Sequence, residues 1–547
     1  MKKFLFLLSI FSSIASSSHP VAPKLTVIIV IDQFAAHIIP KLRPHLTGGI
    51  KFLSEEGISY ANAFYDHSMP GTGPGHALLA TGTYGSFHGI VNNYWFSPTG
   101  KKITCDESSV EEGAVFAPHG VYPYGKSAKQ LLVDTLSDQM MLHSYPHATN
   151  NCWALSLKSR SAVMMAGHLG KAIWFDDVSG NFTSSKAYFE SLPSWLTTFN
   201  ETNSASHASS VTWKPFFETA ISPYDYNQVN NYTYSPFKKS ILNQPFSILA
   251  PHGVTEIFEK TPTANQLLMS LAQECIQQNY TGKETDRFVL WLSLSSLDKV
   301  GHAFGPYSKE AIDIVYHMDY QLKEFMEAIY GTIPPEDVLF VFTGDHGIQP
   351  IPEILREQGL TIARRYQYPH IIEHLNTIIE KKYGVPSIIQ NFKEPQFYLN
   401  QATLATLSSE QQQVISDEIK EYMLSLPGVR RAWTFDELRK ETFESYDTDR
   451  YLQRQLYKGR SGQIFYSVSP YTTIDTYFPN GKSGTSHITQ YAYDTQVPLI
   501  FYQKGKFTRK RVVTNVSLSQ VSVSLATLFD VPRPSAATAN VLPELPL

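Results

Sequence analysis

The sequence is short of cysteine, of net charge and of long apolar runs. Its 547 residues include 3 cysteines, Cys105, Cys152 and Cys275. An odd set of that size closes at most one disulfide, which excludes a disulfide-stapled scaffold. The formal net charge of -4 is too small to gather nucleic acid or a membrane surface, so any anion-binding role must come from local charge. Beyond the N-terminus no stretch is apolar over the roughly 20 residues that a membrane-spanning helix needs. Disorder is excluded as well, because 42% hydrophobic and 17% charged residues are ordinary for a packed chain. No internal repeat or long low-complexity segment occurs, and the length allows a large core and more than one lobe.

What is present begins with a leader. Lys2 and Lys3 precede an apolar run from Phe4 to Ile14, followed by small residues, Ala15 through Ser18. This order predicts a secretory signal peptide over residues 1–18 and a periplasmic or secreted mature chain. The run is too short to be an anchor, and no cysteine near the cleavage point invites lipid attachment. Sequons at Asn181, Asn200, Asn231, Asn279 and Asn515 would matter only in a eukaryotic secretory pathway.

Three continuous apolar runs, Leu25 to Ile31, Phe288 to Leu294 and Val338 to Phe342, read as strands buried on both faces. Helical periodicity lies over Ala264 to Ile276 and Lys309 to Ile329. Buried strands alternating with helices predict an α/β fold with a largely parallel central sheet flanked by helices. Residues 171–262, rich in Ser, Asn, Thr, Tyr and Phe, and residues 348–480, turn-rich and charged, read as insertions forming cap segments. In a parallel sheet, ligands bind beyond the carboxyl ends of the strands. Each of the three runs leads there into a carboxylate: Asp32, Asp298 and Asp345.

These carboxylates come with imidazoles. Asp298 and His302 are four apart, on one face of a helical turn. Asp345 and His346 are adjacent and followed by Gly347, which suits a turn on which both converge. His487 lies in Gly-Thr-Ser-His. Asp oxygens and His nitrogens are the donors of zinc sites that keep a position open for chemistry. Any one piece is weak, since an Asp at a strand end commonly caps a helix. Several clusters in order, each beside a strand end, make a stronger pattern. Residues 72–82 read Thr-Gly-Pro-Gly-His-Ala-Leu-Leu-Ala-Thr-Gly, with Pro74 suited to a first helical turn and Gly82 to a helix end. Thr72 then falls at a helix N-terminus, where free N–H groups and the helix dipole favour phosphate.

With these motifs in view, the chain resembles the alkaline phosphatase superfamily, in its type I phosphodiesterase/nucleotide pyrophosphatase branch. The resemblance rests on Thr72-Gly-Pro-Gly-His76, Thr81-Gly82, His88-Gly89-Ile90 and Asn93, on Asp32, Asp298 with His302, Thr-Gly-Asp345-His346-Gly and Gly-Thr-Ser-His487, and on Lys158-Ser-Arg160. It implies an alkaline phosphatase-like catalytic domain over residues 19–547. It also implies two Zn²⁺ ions, one held by Asp298, His302 and His487, the other by Asp32, Asp345 and His346 with the Thr72 oxygen. Thr72 would be the nucleophile, and Asn93 would donate to a phosphoryl oxygen. Lys158 and Arg160 match an element of the monoesterase members. They follow the strand-like run Cys152 to Leu157, and period-two alternation puts both on one face. His76 and His88 read as structural.

The expected activity is therefore hydrolysis of small phosphate monoesters through a phospho-threonine. The alternative is a phosphodiesterase or nucleotide pyrophosphatase, which shares the metals, Thr and Asn; its usual members lack the Lys-x-Arg pair. A sulfatase is disfavoured, because no cysteine sits in Cys-x-Pro-x-Arg. A metal-free binding protein on this fold would require lost ligands, and all six are present.

Overall fold

The computed structural model describes residues 22–116, 122–143, 150–205, 211–220, 222–224, 240–244, 255–475, 484–507 and 509–547. The expected leader, 1–18, lies outside the described residues. The strands of the central sheet, numbered in chain order, are β1 Leu25–Ile31, β2 Ile58–Phe64, β3 Asn150–Ser156, β4 Lys171–Asp176, β5 Asn181–Thr183, β6 Arg287–Leu294, β7 Val338–Gly344, β8 Gln496–Tyr502 and β9 Lys510–Ser517. They lie in the order β9-β2-β8-β7-β1-β6-β3-β4-β5. Only β5 and β8 run against the rest.

The sheet is buried on both faces, which is why its central strands read as continuous apolar runs. Val27, Ile29 and Ile31 of β1 join one hydrophobic cluster with helices Pro262–Asn279 and Lys309–Tyr330. Ile28 and Val30 face the opposite cluster, with helices Thr72–Thr81 (α1) and Ser159–Ala166 (α2). Register decides where chemistry can be placed. Ile31 lies level with Leu294 on one side and Gly344 on the other, so the segments leaving β1, β6 and β7 emerge together.

One reading of the sequence changes. The stretch 171–262 does not begin as an insertion, because β4 and β5 extend the central sheet. The buried run Ala172–Phe175 had been diluted by the polar composition around it. The described part that follows is held to the body by buried Asp313, which accepts from Trp213 Nε1 at 2.7 Å and Phe216 N at 2.7 Å. Within 348–480, four strands pair in the order Ile389–Lys393, Gln396–Leu399, Ile464–Val468, Val429–Thr434. This small sheet packs against helices Tyr368–Tyr383 and Ser409–Ser425 in a cluster of its own, which includes Leu375, Ile379, Phe397 and Ile419.

Candidate active site

Five segments meet at the carboxyl ends of the sheet. β2 leads to α1, whose N-cap is Gly71 and whose end is Gly82 in the left-handed region at φ 69°. Thr72 is thus the first residue of the helix, 1% exposed, at the positive end of the helix dipole; Pro74 has no N–H and Gly75 N donates to Gly71 O at 2.8 Å. Asn93 accepts from Gly73 N at 2.6 Å through Oδ1. That bond fixes the amide so that Nδ2 is the end left to donate.

β1 delivers Asp32. After β6, the helix Ser296–Phe304 carries Asp298 and His302 on one face, with His302 Nε2 3.2 Å from Asp298 Oδ1. After β7, Asp345 and His346 do converge, because the chain turns: His346 Nε2 lies 3.4 Å from Asp345 Oδ2 and 3.3 Å from Asp32 Oδ1. His487 stacks on His346 with ring centroids 3.5 Å apart. All six predicted ligands thus gather in one place. The donor atoms group as Asp298, His302 and His487, and as Asp32, Asp298 and His346, so Asp298 is shared and Asp345 stands just behind the second group.

The donor chemistry fits divalent metal. Each ring Nδ1 of His302, His487 and His346 faces a backbone carbonyl, of Thr485 at 2.8 Å, Pro70 at 2.6 Å and Gly347 at 2.9 Å. A carbonyl only accepts, so Nδ1 carries the proton and Nε2 is the ligating end. The Nε2 atoms of His302 and His487 are 3.1 Å apart. Two lone pairs at that distance need a cation between them or an added proton. Burial, with nearby His346, pushes the His487 pKa down to about 3, which disfavours the proton. Oδ1 of Asp32, Oδ2 of Asp345 and Nε2 of His346 are buried without a hydrogen-bond partner. Burial and the Asp32 charge push the Asp345 carboxyl well above its usual range. Three buried carboxylates this close cannot all ionise without added positive charge.

Part of that charge comes from Lys158. Its Nζ pairs with Asp298, lies 2.6 Å from Asp32 Oδ2 and donates to Thr72 Oγ1 at 3.4 Å. Burial works against the ammonium, but Asp298 and Asp32 outweigh it and raise its pKa above the ordinary lysine value. The strand alternation expected for Lys158 and Arg160 is not how they are placed. β3 ends at Ser156, Lys158 is the N-cap of α2 and Arg160 lies in its first turn. Ser159 between them donates to buried Asp106 at 2.6 Å. Asp106 also pairs with Lys126 at 2.8 Å. His76 and His88 are buried and bonded within the protein: His76 to Thr72 O at 2.8 Å and, across to β6, Ser293 Oγ at 3.0 Å, and His88 from Ile90 N at 3.0 Å.

The sequence profile of the type I phosphodiesterase / nucleotide pyrophosphatase family matches residues 26–489. The chain belongs to this family. Among family relatives, alkaline phosphatase PafA of Elizabethkingia meningoseptica is 26% identical over 540 residues, spanning 96% of this chain and 94% of that one. Alkaline phosphatase PhoV of Synechococcus elongatus is 26% identical over 548 residues, spanning 96% and 93%. In fold, the chain is similar to crystalline wild-type PafA with a TM-score of 0.85 at 24% identity, covering 96% of this chain and 99% of that one. It is less similar to murine ectonucleotide pyrophosphatase / phosphodiesterase 5, with a TM-score of 0.51 at 12% identity over 93% and 95%.

Two contributors to this family site carried no signal in the sequence. Gln33, directly after Asp32, touches both Asp298 and Asp345. Asp106, far from any recognised motif, seats the start of α2. Neither lies in a periodic or spaced pattern, and only the fold brings them in.

Proposed function

We propose that this protein is a zinc-dependent alkaline phosphatase that hydrolyses phosphate monoesters through a phospho-threonine at Thr72. The named relatives, alkaline phosphatases along nearly their whole length, support the class. The observation that carries monoester selection is Lys158, whose buried ammonium reaches the Thr72 hydroxyl, with Arg160 two residues on. A monoester dianion offers one more negative charge than a diester, and charge-assisted hydrogen bonds from these two cations recover it.

Asp298, His302 and His487 would hold one Zn²⁺, and Asp32, Asp345 and His346 the other. Bound there, zinc supplies Lewis-acid stabilisation of the attacking and leaving oxygens. Thr72 Oγ attacks phosphorus, the bond from phosphorus to the ester oxygen breaks, and the alcohol leaves. Water then cleaves the phospho-threonine and releases phosphate. The N-terminus of α1 turns the positive end of its helix dipole toward the phosphoryl group. Asn93 Nδ2, aimed by the Gly73 bond, donates to a phosphoryl oxygen. The leader-like residues 1–18 support export of the mature enzyme, and the N-terminal sequence of the mature protein tests that cleavage.

The deciding experiment compares a simple aryl phosphate monoester with the matching diester on purified protein. We expect kcat/KM to favour the monoester, with activity lost to a chelator and restored by zinc. A preference for the diester would make the chain a phosphodiesterase of the same family.

A further inference from the structure

Gln33 touches the carboxylate segments of three strands at once. It follows Asp32 directly, is 1% exposed, and holds φ at 70°, a left-handed conformation that a glutamine rarely adopts. That turn aims its backbone N–H at Asp345 Oδ1, 3.0 Å away. The side chain runs the other way, and Nε2 donates to Asp298 Oδ1 at 2.9 Å. That same oxygen is the one nearest His302 and His487. Room for the amide comes from Gly301, where a Cβ would fall 1.7 Å from Gln33 Oε1.

We infer that Gln33 is a positioning residue that locks the three aspartates into one arrangement and sets the metal affinity of the site formed by Asp298, His302 and His487. The inference rests on the two-metal reading above. An ionised carboxylate has several lone-pair directions and rotates freely unless each oxygen is engaged. Taking one direction of Oδ1, the Gln33 amide leaves that oxygen a single orientation toward the imidazoles. Partners of this kind, which bond a ligand and not the metal, characteristically govern affinity by 10- to 100-fold. The left-handed backbone serves the same end. Without it the N–H could not reach Asp345 while the side chain reaches Asp298.

Two substitutions separate the amide from the backbone. Gln33→Met keeps length and removes the donor. Gln33→Asn accepts the left-handed conformation more readily than glutamine but is too short to reach Asp298. Zinc binding is measured by competition with a chromophoric chelator on full-length protein, alongside the Tm of the zinc-free form. We expect both variants to bind one of two zinc equivalents about 10- to 100-fold more weakly, with Tm close to wild type. Gly301→Ala, which leaves Gln33 in place but expels its amide, should reproduce the loss and stands in if Gln33→Met does not fold. Wild-type affinity in Gln33→Met and in Gly301→Ala would overturn the inference while leaving the metal reading standing. A wild-type chain that takes up no zinc would overturn both.

Discussion

The helix that begins at Thr72 is held so close to the segment carrying Asp345 that a single methyl group should uncouple them. Gly75 lies one turn into α1, and a Cβ there would fall 2.6 Å from Asp345 O and 3.3 Å from Asp345 Cβ. Ordinary contact begins near 3.4 Å, so Gly75→Ala must part the helix from Asp345 by about 0.8 Å. The opposing atom is a main-chain carbonyl next to His346, which cannot swing aside as a side chain would. Misplacement of about 1 Å costs on the order of 100-fold in rate when reacting groups must meet in line, so kcat/KM for an aryl phosphate should fall roughly 30- to 100-fold. Alanine is also the better helix former by about 1 kcal/mol, which offsets part of the packing strain and keeps the protein folded. Steady-state rates, zinc content and Tm are measured together. The expected result is a folded, zinc-loaded and slow enzyme. A variant within about threefold of wild-type kcat/KM would refute the claim that the Thr72–Asp345 spacing is set by this contact.

Other substitutions probe separate parts of the site. Thr72→Ala should abolish turnover while zinc uptake largely survives, because three protein ligands remain at each site; labelled phosphate trapped on another residue would remove Thr72 from its role. Lys158→Ala with Arg160→Ala should lower monoester kcat/KM much more than diester kcat/KM, by roughly 10- to 100-fold per lost charge-assisted bond and less than additively; equal losses on both substrates would show that the pair does not select monoesters. His487→Ala should lose zinc, whereas His88→Ala should lose only stability, since its ring serves the Ile90 turn; equal zinc loss would overturn the ligand set. His168, bonded to Asp138, has a raised pKa from that side-chain bond, so its stabilisation is complete below the unfolded value of about 6.5 and fades as pH rises through the folded value. The Tm advantage of wild type over His168→Gln should therefore be present near pH 5.5 and absent near pH 9, and an advantage that is the same at both would refute it.

How much of this could be read in the sequence follows from how each part is encoded. β1, β6 and β7 are buried on both faces, so each declared itself as an apolar run, and the aspartates stand beyond them at strand ends that the register brings level. Asp298 and His302 were legible because four residues is one helical turn. The sequence pairs Lys158 with Arg160 but predicts a strand where the structure has the start of a helix. The apolar run that precedes them ends at Ser156, and nothing in Leu157 or Lys158 marks the turn into α2. β4 was lost in a polar stretch. Gln33 and Asp106 were invisible because their partners are 265 and 53 residues away in the chain, and no local pattern records such a contact.

The strand order also fixes when, in the life of the chain, a site can exist. β2 has two neighbours in the sheet, β8 and β9, both drawn from residues 496–517. A chain emerging N-terminus first therefore makes β2, and the Thr72 helix that follows it, long before either strand that will fix them is synthesised. His487 too arrives just ahead of β8. Partial chains therefore hold Thr72 on a helix whose preceding strand is still unpaired, and they lack the His487 imidazole. Removing the last fifty-odd residues would keep every proposed catalytic side chain but strip β2 of both sheet neighbours, so we expect the truncated chain to show no phosphatase activity when assayed beside the full chain.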